Sequence, residues 1–255
     1  MKIKLPEPPL LSMSFYRTNI KESILLMELL ACALDIGAKV IGEVSYCEGI
    51  DIKKKRFASI MDLGVPSYKN LSTLNEIMTF QEQENINIIN IPLRGILTNC
   101  QADFISVIPI SEEAKNIDTH PVSWTTSGTC FEFFDPYFKK ASGFGDKIYQ
   151  IFKIATQRID PVYASINTEY YLPCLTDIKI DDKSMAFQDF FINSKYFSKE
   201  KLDELKNVLF DYYCETLENG IYFSRSPFFN PEKVEVDGTI SMYRSAEVAR
   251  LLISK

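Results

Sequence analysis

The residues of this 255-residue chain that could do chemistry are few and widely spaced. Its one histidine, His120, precedes Pro121 and leaves no second imidazole for a His-x-x-x-His zinc pair, a facial triad or a proton relay. The cysteines Cys32, Cys47, Cys100, Cys130, Cys174 and Cys214 stand fifteen or more residues apart with no Cys-x-x-Cys pair, and several lie in apolar runs. Such cysteines act as small core residues. Cys130 lies ten residues from His120, but no orienting Asn or Asp accompanies them in a protease-like context. The acids Asp177, Asp181 and Asp182 surround Ile178 and Ile180, so a strand there puts Asp177 and Asp181 on one side, where Mg²⁺ accepts carboxylates. A charged hairpin tip is the plainer reading, and neither a metal nor a cofactor is expected. Ser142-Gly143-Phe144-Gly145-Asp146 opens a helix without the Lys-Ser/Thr of a phosphate-binding loop.

Charge is informative once it is divided along the chain. Residues 57–138 carry ten acids and three bases, a balance of −7 within a total of −6. Nucleic-acid binding needs a basic footprint to displace counterions, and Lys53-Lys54-Lys55-Arg56 suits a solvated turn better. Toward its end this acidic segment gathers Trp124, Phe131, Phe133, Phe134, Tyr137 and Phe138 beside Glu132 and Asp135. Aromatic anchors with acidic neighbours suit a surface for a basic protein partner. Glu112, Glu113, Asp118, Trp124, Phe133 and Asp135 are therefore the expected partner-binding residues. The competing reading fills the core with these rings.

The elements that must position these residues follow from periodicity. Leu10 to Phe15 suits a strand, and Ile20, Ile24, Met27, Leu30, Ala31 and Leu34 recur at helical spacing after a Thr18 or Asn19 cap, with Gly37 as the stop. Ala38 to Tyr46 reads as a strand with a hairpin partner at Arg56 to Leu63. A helix from about Leu71 to Glu82, capped by Ser67 or Asn70, precedes strands near Ile86 to Leu93 and Gln101 to Ile110. Glu112 to Gly128, rich in acids, Ser and Thr, reads as a long surface excursion. Lys147 to Arg158 is a helix buried through Ile148, Ile151, Phe152 and Ala155. Val162 to Tyr170 and Met185 to Ile192 are strands. Ser198 opens a helix running to Leu217 and stopped by Gly220, followed by strands at Ile221 to Ser224 and Val234 to Met242 and a terminal helix at Ala246 to Ile253.

The expected class is α+β, with antiparallel sheets and helices packed on one face. A helix-to-strand unit recurs before Lys39-Val40-Ile41 and before Pro161-Val162-Tyr163, suggesting two similar ferredoxin-like lobes, 1–140 and 141–255, packed as one compact body. The longest apolar run, Ile24 to Ile36, is broken by Glu28 and Asp35 and falls short of the roughly 20 residues that span a bilayer. Without a continuous signal-peptide core the expectation is a reduced, cytoplasmic protein.

The stretch Arg158-Ile159-Asp160-Pro161-Val162-Tyr163-Ala164-Ser165-Ile166, followed by Glu169, resembles the helix-to-strand junction of immunity proteins of bacterial polymorphic-toxin systems, over about a quarter of the chain. The resemblance implies a small non-catalytic protein that docks over a toxin's active site, and it assigns no residues. The expected function is an immunity-type inhibitor whose acidic, aromatic surface covers a basic site, with no nucleic-acid or membrane partner. The alternatives are a phage or defence-system accessory protein holding a nucleotide or protein between two lobes, and an Mg²⁺-dependent enzyme using the clustered Asp residues.

Overall fold

The computed structural model describes residues 10–49, 64–83, 85–94, 102–108, 119–127, 144–168, 187, 189–225, 227, 229 and 244–253. The strands are β1 (Leu10–Tyr16), β2 (Lys39–Val40), β3 (Glu43–Glu48), β4 (Ser67–Asn70), β5 (Ile86–Arg94), β6 (Ala102–Val107), β7 (Val122–Ser127), β8 (Tyr163–Thr168), β9 (Asp189–Asn193), β10 (Tyr213–Leu217) and β11 (Gly220–Ser224). The helices are α1 (Glu22–Asp35), α2 (Leu74–Gln81), α3 (Phe144–Ile159), α4 (Lys199–Val208) and α5 (Ser245–Ile253). The strands form one antiparallel sheet ordered β10-β11-β9-β8-β1-β7-β6-β5-β3-β4, with β2 pairing β5. This is the expected α+β class.

β1 occupies the centre, paired with β7 through Met13↔Trp124 and with β8 through Met13↔Ile166. Strands from both sides of residue 140 thus share one sheet. The strand after α1, β2, pairs with β5, whereas the strand after α3, β8, lies beside the central β1, so the two helix-to-strand units occupy different places in the strand order.

Side-chain alternation divides the core between two faces. Leu11, Met13, Phe15, Ile105, Val122, Trp124, Phe191 and Tyr222 share a cluster with the buried residues of α1, α2 and α3. Their neighbours Tyr16, Tyr163, Phe190, Ile192, Ile221 and Phe223 cluster with Leu202 and Leu205 of α4 and Val248 and Leu252 of α5. Where one helical face was expected, α4 and α5 add a second layer over the β8–β11 end.

The same alternation places Ser12 and Ser14 of β1 on the face away from α1, yet they are buried as fully as Leu11 and Met13. Ser14 is in register with Ser123 and Ser165, and Ser123 with Ser106, which makes a serine row across four strands. Hydroxyls meet hydroxyls there, at 3.1 Å for Ser12–Thr125 and 3.2 Å for Ser106–Ser123. Burying such groups is tolerable because most find a partner.

Candidate functional site

α1 is apolar nearly all round, and the sheet can cover only one side of it. Its buried stripe is Leu25, Leu26, Leu29, Leu30, Cys32 and Ala33. The other apolar stripe, Ile24, Met27 and Ala31, instead lines a groove of 860 Å³ between α1 and α2, floored by Ile86, Ile88 and Val107. Ile24 is 46% exposed, and Met78 on the facing helix is 40% exposed. A helix that is hydrophobic on nearly every side is ordinarily enclosed, and here Ile24 is left exposed while Met27 and Ala31 are half-buried in the groove wall.

The walls of the groove are held by specific bonds. α2 begins at a capping box: Thr73 Oγ1 accepts from Glu76 N at 3.2 Å, and Glu76 Oε2 accepts from Thr73 N at 3.0 Å. The backbone and hydroxyl of Ser72 donate to the same carboxylate, and with Thr73 they hold Glu76 below the usual carboxylate range. At its other end Gln81 reaches β5 like a strand partner, donating to Ile86 O at 2.7 Å and accepting from Ile88 N at 3.0 Å. On α1, burial raises Glu28 above the usual range although Arg17, 3.4 Å away, and Arg158 oppose it. Arg17 also donates to Ile159 O at 3.0 Å, and Arg158 pairs with Asp35, so two guanidinium groups tie α1 to α3.

The sequence-predicted site residues separate sharply. Trp124 is fully buried on β7, and its Nε1–H donates to Asp103 Oδ2 at 3.2 Å. It is a core residue, not a surface anchor, because Val122, Trp124 and Thr126 alternate toward α1 from the middle of the sheet. His120 is likewise buried; its backbone N–H donates to Glu22 at 3.1 Å, and Nδ1 lies 3.2 Å from Ile108 O. The excursion expected over Glu112 to Gly128 thus contains a central strand. Glu112, Glu113, Asp118, Phe133 and Asp135 lie outside the described residues, as do Asp177, Asp181, Asp182, Glu169 and Cys130. Among the described residues no group of three or more His, Cys, Asp or Glu could hold a metal.

Sequence reasoning missed three polar features. Asp103 is enclosed with Trp124 and Thr126; burial raises its pKa while their two donors oppose the rise. Asp189 is half-buried, and the desolvation of its carboxyl pushes it up to about 7 against donation from Ser224 at 2.6 Å and Tyr222 at 2.9 Å. Neither had a spacing signal, since their partners come from other strands. Asp160, in the left-handed region at φ 50°, ends α3 within the junction Arg158–Ile166. Burial would raise its pKa, but Asn193, Lys195 and Asn219 together hold it below the usual range. The groove stripe did have a signal. Ile24, Met27 and Ala31 stand in the helical pattern, which does not by itself distinguish a covered stripe from an open one.

No described helix is long and apolar enough to cross a membrane. No family model matches the chain, and no curated protein matches it. Among solved structures, the Pseudomonas aeruginosa T6SS protein PA0821 matches at 9% identity and a TM-score of 0.40, over 86% of this chain and 68% of that one.

Proposed function

We propose that this protein acts by binding another protein, as a cytoplasmic immunity-type inhibitor, with the α1–α2 groove as its principal contact. The observation that carries the reading is the apolar groove between α1 and α2, on whose walls Ile24 and Met78 are exposed. Methionines adapt to irregular surfaces, so Met27 and Met78 suit a groove that closes on a partner's apolar side chains. The charged lining residues Lys21, Glu22, Glu28, Glu82 and Arg158 sum to −1. That balance suits a polypeptide better than a nucleotide polyphosphate, which needs convergent cations and backbone donors. The acidic middle segment adds long-range attraction for a toxin with a basic active site.

The test is binding of a purified toxin encoded beside this protein's gene, measured by biolayer interferometry with wild type, Met78→Asp and Ile24→Asp. Each substitution places a charge in the apolar contact and should weaken binding at least about tenfold, a loss of about 1.4 kcal/mol. Unchanged affinity in both variants, with unchanged melting curves, removes the groove from the interface and overturns the reading.

A further inference from the structure

Three tyrosine rings converge on one phenylalanine away from the groove. Phe229 stacks on Tyr149 of α3 at 3.9 Å and 16°. Tyr213 of β10 and Tyr222 of β11 meet the same ring edge-on at 5.4 and 5.9 Å. Tyr149 and Tyr222 stand 4.7 Å apart, so the tyrosines form three walls of a box whose occupant is Phe229.

Every hydroxyl of the box is committed to an acidic side chain. Tyr149 and Tyr213 donate to Glu215 Oε2 at 2.9 and 2.7 Å, and Tyr222 donates to Asp189 Oδ1 at 2.9 Å. A phenol donating to a carboxylate shifts electron density into its ring, which deepens the negative potential over the ring face. Glu215 stays ionised, because the two tyrosines and Lys153 outweigh the burial that would raise its pKa. Lys153 has answered this potential, with Nζ 3.5 Å from Glu215 Oε1 and 4.7 Å from the Tyr149 centroid. The seat inside the box, however, holds a neutral ring. Electron-rich aromatic walls, two of them backed by the Glu215 carboxylate, are surroundings that recognise organic cations.

We propose that the Tyr149–Tyr213–Tyr222 box is a binding site for an organic cation, an alkylammonium or guanidinium head group, which takes the place of Phe229. The head group stacks on Tyr149 where Phe229 now lies, with Tyr213 and Tyr222 closing its sides. A free quaternary amine and a lysine or arginine side chain presented by a protein share this chemistry. The proposal is independent of the groove, since no box residue lines it.

The test titrates tetramethylammonium chloride and Nα-acetylarginine methylamide separately into the full chain, following the probes' methyl and methylene protons by NMR. Seating in the box gives saturable upfield shifts from the tyrosine ring currents. Phe229→Ala empties the seat and should bind about tenfold more tightly than wild type, because the competent state no longer competes with the resident ring. Adding Tyr149→Leu should abolish binding. Saturation by tetramethylammonium alone supports a small-amine site, and saturation by the arginine derivative supports capture of a side chain. If Phe229→Ala does not fold, Phe229→Leu opens the stacked face with less loss of apolar volume and is read the same way. Absence of saturable shifts with either probe in the folded variant overturns the proposal, as does binding that survives Tyr149→Leu.

Discussion

Asp189 should give the fold a pH dependence that one substitution removes. Its carboxyl sits at the start of β9 on a half-buried residue, and its pKa rises from the ordinary 3.8 to about 7. Burial is the main cause. Donation from Ser224 and Tyr222 and the charge of Arg225 act in the opposite direction. Between these two values the folded state holds a proton that the unfolded state has released, so stability falls as pH rises. The contribution is fully present below pH about 4, is lost at about 1.4 kcal/mol per pH unit, and is exhausted above pH about 7, a total of about 4 kcal/mol. Asp189→Asn keeps an acceptor for Ser224 and Tyr222 but does not titrate. Urea unfolding of both proteins from pH 4 to 8 should therefore show stability curves that diverge by about 4 kcal/mol across the range, the wild type falling relative to the variant. Other carboxyl groups titrate alike in both proteins and cancel in the difference. Parallel curves, or a carboxyl carbon resonance of Asp189 that titrates near pH 4, would refute the reasoning.

Two further outcomes follow from packing and one from the groove. A Cβ at Gly220 would lie 2.2 Å from Ile192 O and 2.6 Å from the Phe191 ring, so Gly220→Ala must push backbone apart. It should cost about 2 kcal/mol and lower Tm by about 5 °C, as read by calorimetry, and an unchanged Tm would contradict the close approach. Trp124, the chain's single tryptophan, should emit at a blue-shifted wavelength and resist iodide quenching in the native protein. Quenching as efficient as in urea would return it to the surface. In the proposed complex with a toxin, raising salt should slow association while leaving dissociation nearly constant, because steering is screened over about 10 Å and groove contacts are not. A dissociation rate that rises with salt as steeply as association falls would place the binding energy in charges instead of the groove.

Local periodicity made much of the fold legible. β1, α3, β5, β11 and α5 lie close to where alternation or helical spacing puts them, and Ser198 caps α4 by accepting from Lys201 N. The errors share one cause, that residue type was read without its tertiary partners. Val122 to Ser127 reads as surface because Ser and Thr are usually solvated, yet Ser123 and Thr125 are buried among hydroxyls from neighbouring strands. The helix expected to run from Ser198 to Leu217 stops at Val208, and Tyr213 to Leu217 becomes an edge strand joined to β11 by the turn Glu218–Asn219. Gly220, expected as a helix stop, is required by its approach to β9. Asn219 pins the turn by donating to Thr156 O at 3.0 Å, a contact 63 residues away that no local pattern carries.

The same reasoning changes what the acidic middle segment means. Counting charges along a chain assumes that each acid is free to meet a partner. Among the described acids of that segment, Glu76 is bound by four donor and acceptor contacts in and beside its capping box, and Asp103 is enclosed with Trp124 and Thr126; Glu82 remains on the groove lip. The apolar count misleads in the opposite sense. α1 looks like a core helix because it has more apolar surface than one face needs, and the surplus is what lies open beside α2. Asp103, enclosed with its donors, cannot touch a partner, whereas Glu76 stays exposed and ionised and still contributes its charge. In the proposed complex the apolar part of the contact falls on Ile24 and Met78, whose exposed surface is not desolvated within the fold.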